Sequence, residues 1–149
     1  MIASAALLLG AASPVLAAPA PRPSEESRRY AFADHSLDAV AKQITEVKSC
    51  ISRLEAAKAE LADKKSEIAA QNNGVVPAAY DSVLAIKSAR ITKLRTTCFQ
   101  INKDVSALLD QARAAVKGIE PPSSSGVPKR RERLTSLQTL GNSVAKSLR

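Results

Sequence analysis

The sequence predicts an all-α protein: a long antiparallel, coiled-coil-like helical hairpin cross-linked by one disulfide, followed by a third, amphipathic helix at the C-terminus. Three observations predict it. Apolar residues recur at alternating steps of three and four over two long stretches. The run Asn72-Asn73-Gly74-Val75-Val76-Pro77, which stops helices, separates them. The two cysteines, Cys50 and Cys98, stand about equally far from that run.

The first stretch is filled by Leu37, Val40, Ile44, Val47, Ile51, Leu54, Leu61 and Ile68. Lys58 and Lys65 take two slots of the same seam and weaken its distal part, although their stems can cover it. Asp34 or Ser36 is the expected N-cap, with Asp38 in the first turn. Gly or Asn supplies the left-handed C-cap, and Pro77 opens the next helix. The second seam runs through Tyr80, Leu84, Ile91, Leu94, Cys98, Ile101, Val105, Leu108 and Ala112, to about Gly118.

A turn near Gly74 makes residues whose numbers sum to about 148 face each other. Val40 then meets Leu108, Val47 meets Ile101, Leu54 meets Leu94 and Ile68 meets Tyr80. Cys50 and Cys98 obey the same sum, so the seams alone place the two thiols together. The hairpin is assigned to residues 34–118.

Residues 119–128 read as a linker, Ile-Glu-Pro-Pro-Ser-Ser-Ser-Gly-Val-Pro. Residues 129–149 read as a basic amphipathic helix with Leu134, Leu137, Leu140, Val144 and Leu148 at helical spacing. It either packs on the hairpin as a three-helix bundle or serves as an arm that docks on a partner. This segment holds six Lys or Arg against one Glu, within a formal net charge of +8. A basic tail suits an acidic lipid, polysaccharide or protein surface. Lys129, Arg130, Arg131, Arg133 and Leu137 are the candidate partner-binding residues.

At the other end, Ile2 to Ala18 form a short apolar run closed by small residues, with Val15 and Ala17 at the −3 and −1 positions of a signal-peptidase site. A signal peptide over 1–17 is expected, although no Lys or Arg precedes Leu7. The run is too short to span a bilayer. Residues 18–33 read as a Pro-rich extended spacer, with Arg28-Arg29 a possible dibasic site that would make residues up to 29 a propeptide. Export implies an oxidising compartment, extracellular or periplasmic, where a disulfide persists.

No enzyme motif is present: the chain has no G-x-S-x-G, Walker or dinucleotide-binding pattern and no Cys-x-x-Cys. One histidine, His35, cannot build a zinc site, and it is read as an exposed residue at the start of the first helix. Glu60 with Lys64 and Asp63 with Glu67 read as solubilising i,i+4 neighbours. No cofactor or metal is expected. Aromatic residues are 3%, too few for base-stacking platforms, so nucleic acid is not an expected partner.

Leu134-Thr135-Ser136-Leu137-Gln138 resembles the L-T-x-x-Q pattern of small periplasmic chaperones of the Spy and CpxP type. That resemblance covers five residues. The family pattern occurs twice and here once, and the disulfide is not part of it. It implies a holdase for unfolded clients. The expectation from the whole sequence is a secreted, non-enzymatic interaction protein that binds a protein or an anionic surface. A periplasmic chaperone and a structural subunit of an exported assembly are the alternatives, and a homodimer through the heptad seam is possible.

Overall fold

The computed structural model describes residues 22–119 and 126–149. The expected leader, residues 18–21 of the spacer and residues 120–125 of the linker lie outside the described residues. Among the described residues there are three α-helices: α1, Glu25–Gln71; α2, Asp81–Lys117; and α3, Gly126–Ser147, with a short 3-10 turn Ala78–Tyr80 ahead of α2. The architecture is all-α, with α1 and α2 packed as an antiparallel hairpin, Cys50 bonded to Cys98, and α3 against them.

Helix α1 begins about ten residues before the expected start. Ser24 caps it, its Oγ accepting the Ser27 N–H at 3.1 Å, and Glu25 and Glu26 lie in the first turn, where the helix dipole favours anions. Residues 25–33 are therefore helix and not spacer. Neither expected cap is one. Ser36 Oγ donates to the Phe32 carbonyl at 2.9 Å within the helix, Asp34 pairs with α3, and His35 is exposed about three turns inside α1. At 47 residues α1 is about 70 Å long. Arg28-Arg29 sit in its first turns, and Arg29 is bonded to Glu25, which opposes the extended conformation that a processing protease needs.

The turn follows the expected chemistry. Asn73 (φ 54°) and Gly74 (φ 85°) both adopt the left-handed conformation, and Gly74 N–H reaches back to the Ala69 carbonyl at 2.8 Å. Pro77 caps the 3-10 turn, accepting from Tyr80 N–H at 3.0 Å. The register is as expected at the staple, where the Cα atoms of Cys50 and Cys98 lie 5.6 Å apart and both residues are fully buried.

Helix α3 starts three residues earlier than expected, at Gly126, with Pro128 in its first turn, where the missing N–H costs nothing. It packs through Val127, Leu137, Gly141, Val144 and Leu148. Leu140, expected in the seam, is exposed; the helix turns Gly141 inward instead. A Cβ there would lie 3.2 Å from Leu109 Cδ1 and 3.4 Å from Val105 Cγ1, so glycine lets α3 approach α2 closely. Because α3 needs a seat, α2 buries a second row, Leu109 and Val116, that the two-helix reading did not include.

Arg130 bonds Asp34, Nε to Oδ1 at 2.8 Å, and Arg133 bonds Asp38 at 2.6 Å, so α3 runs parallel to α1 at an offset near 96. Continued at that offset, its last turn reaches the level of Cys50, and Leu148 joins the core that holds Cys50 and Cys98. The staple thus marks the top of a three-helix body. Above it α1 and α2 continue alone, as an arm of about 30 Å.

The sequence changes at that level. Positions seven apart share one face of a coiled coil. On α1 the row facing α3 reads Leu37, Ile44, Ile51, Lys58, Lys65: two buried, one half-buried, two exposed. On α2 the row reads upward Val116, Leu109, Asn102, Arg95, Ser88, with the same progression. The α1 row is apolar up to the level where α3 ends and polar above it; the α2 row follows the same trend, with the half-buried Asn102 polar below that level. The two seam lysines belong to the arm's wet side.

Candidate interaction surface

The structure uses Arg130, Arg133 and Leu137, all candidate partner-binding residues, for α3 itself. Arg130 grips Asp34 with two nitrogens, bonds the Gly126 carbonyl at 3.1 Å and lies 4.5 Å over the Tyr30 ring. Hydrogen bonding to Asp34 raises its pKa against the opposing effect of burial, so the cation persists at any working pH. Arg133 pairs with Asp38, and Leu137 is buried. Lys129 and Arg131 are exposed. Two of the six cations of the basic segment thus serve to dock α3 on α1. Leu137 of the L-T-x-x-Q match is likewise part of the core, and Leu134 packs against it.

With one face of the hairpin covered by α3, the opposite flank is left open. At its base, Glu25, Arg28, Arg29 and Phe32 of α1 and Ala114, Ala115 and Gly118 of α2 line a mostly apolar groove of about 500 Å³. Phe32 is 61% exposed. At its tip, Glu60, Asp63, Lys64 and Glu67 of α1 and Lys87 of α2 line a second, charged groove of about 390 Å³. Beside it Val83 is 44% and Ile86 72% exposed, and Val75 in the turn is 63% exposed.

Heptad counting places base and tip on one flank. Phe32, Glu60 and Glu67 share a row of α1; Arg28 and Asp63 share the next; on α2, Val83 shares a row with Gly118, Ile86 with Ala114 and Lys87 with Ala115. The flank therefore carries an apolar patch at each end, the basal one beside arginines and the distal one beside carboxylates. Sequence reasoning missed it because neither patch breaks the seam pattern. The signal lay among the apolar residues left over once each seam is assigned: Phe32, Val83 and Ile86 fall on this flank, whereas Phe99, Leu109 and Val116 do not.

Ion pairing at the tip also differs from expectation. Glu60 does not pair with Lys64. It bonds Lys87 across the hairpin and lies 3.5 Å from Arg90, while Lys64 pairs with Glu67 at 2.7 Å. The numbers 60 and 87 nearly obey the hairpin register, which could have identified the pair. The Lys87 hydrogen bond and charge hold the Glu60 carboxyl below its ordinary value. A lowered carboxyl contributes stability above the ordinary carboxylate range and loses it as pH falls through the lowered value. In acid melts taken from pH 7 to pH 3, Glu60→Gln is expected to lose less melting temperature than the native chain; equal losses would remove this role.

Among the described residues no group of three or more His, Cys, Asp or Glu could hold a metal ion, and no helix is long and apolar enough to cross a membrane. No family model, no curated protein and no solved structure matches this chain.

Proposed function

We propose that this chain is an exported, non-enzymatic interaction protein that binds a protein partner through the hairpin flank opposite α3. The observation that carries the reading is the pair of apolar patches on that flank, around Phe32 and around Val83 and Ile86, left exposed while α3 covers the other face up to the level of the disulfide. Exposed apolar side chains gathered on one face mark a contact surface. The disulfide fits an oxidising destination, as does the leader-like sequence of residues 1–17. The basic charge of α3 plays the smaller part, since Arg130 and Arg133 are spent on internal pairs.

Photo-crosslinking amino acids placed at Phe32, Ile86 and Leu140 test the proposal in the protein exported by its own host. Discrete adducts are expected from Phe32 and Ile86 and none from Leu140 on the outer side of α3. Adducts from Leu140 alone would move the contact surface to α3 and defeat the reading.

A further inference from the structure

We propose that the flank pairs with a second copy of this chain, antiparallel about a two-fold axis, so that the base of each copy meets the tip of the other. This deepens the binding role of the flank and rests on it. Two unpaired charges of opposite sign stand on this flank. Among the described residues Arg28 has no ion-pair partner, and neither has Asp63. Both are exposed, and they lie in one row of α1, five heptads apart. That spacing is about 52 Å along the helix.

In an antiparallel two-fold contact, residue i of one copy faces j of the other, and j faces i. Setting Arg28 against Asp63 of the second copy satisfies both charges, and symmetry makes the pair twice. The same register carries the apolar base, with Phe32, onto the end of the second copy that exposes Ile86 and Val83. It also sets Lys42 against Ser49 of the second copy. The axis then falls beside Glu46, which meets its own symmetry mate within one turn of Lys42. That like-charge contact, and two small patches in place of one continuous interface, make the dimer weak and reversible. Because each base–tip contact closes on itself, the assembly stops at two copies and does not grow into a filament.

Sedimentation velocity on the full chain with its disulfide intact, from about 10 µM to about 1 mM, tests this. A monomer–dimer equilibrium is expected. Arg28→Asp and Asp63→Arg should each raise Kd about tenfold, since each reverses a contact made twice. The double variant R28D/D63R should restore the native Kd to within about threefold, because the pair is rebuilt with its signs exchanged. Ile86→Asp should leave a monomer. A chain monomeric throughout the range would overturn the pairing, as would charge variants without effect or a double variant no better than the singles. Adducts from Phe32 and Ile86 to some other protein, with a monomeric chain, would overturn the dimer while leaving the flank as a binding surface.

Discussion

Replacing both Cys50 and Cys98 by alanine is expected to lower the stability of the fold by about 4 kcal/mol, the chain-entropy contribution of a ring of this size. The sequence separation across the bond is 48 residues. In a chain of this length that corresponds to a melting temperature lower by on the order of 10–20 °C. The loss should not be uniform. Below the staple, α1 and α2 share a core with α3. Above it the arm buries Leu54, Ala57 and Ile68 from α1, while α2 buries none of residues 81–97 fully. The arm therefore depends on being held together at its root. Circular dichroism melts of the oxidised and double-alanine proteins, read in parallel, check this, and superimposable melts would show that the ring contributes nothing.

Gly141→Leu is expected to destabilise the protein by about 1–3 kcal/mol. A Cβ at this position already presses on Leu109 and Val105, and the remaining carbons of leucine have no room unless α3 lifts. Lifting α3 uncovers Leu37, Ile44, Leu109 and Val116 and lengthens the Arg130–Asp34 and Arg133–Asp38 bonds. Helix propensity favours leucine over glycine by up to about 1 kcal/mol, which offsets part of the cost. Gly141→Ala separates the two effects. Its Cβ needs only a few tenths of an ångström from the flexible end of Leu109, so propensity and crowding roughly cancel. Urea unfolding of the three proteins measures this; a leucine variant as stable as the alanine one would mean that α3 is not seated at this glycine.

The hairpin was legible because two independent patterns agreed. The three-four spacing of Val40, Val47, Leu54 and Ile68 defines a face, and Cys50 and Cys98 fix which residues of the second helix meet it. The start of α1 was hidden by the prolines before Ser24, although Ser24-Glu25-Glu26 is itself a start signal. The inward turn of Gly141 was hidden because a residue without a side chain leaves no mark in an apolar pattern. The length of α3 was written in its neighbours. Lys58 and Lys65 on α1, with Arg95 and Ser88 on α2, are the polar members of these rows above the level where α3 ends, although Asn102 is already polar below it. The partner-binding reading of α3 rested on its charge. Charge alone does not distinguish a guanidinium awaiting a partner from one already bonded to Asp34 or Asp38.

The division into a stapled body and a projecting arm is tested most directly by hydrogen exchange, residue by residue, on the oxidised protein at low concentration. The amides of residues 55–71 and 81–97 should exchange markedly faster than those of 37–50 and 98–116, with the change falling at Cys50 and Cys98. Protection that is even from base to tip, or strongest in the arm, would contradict the account.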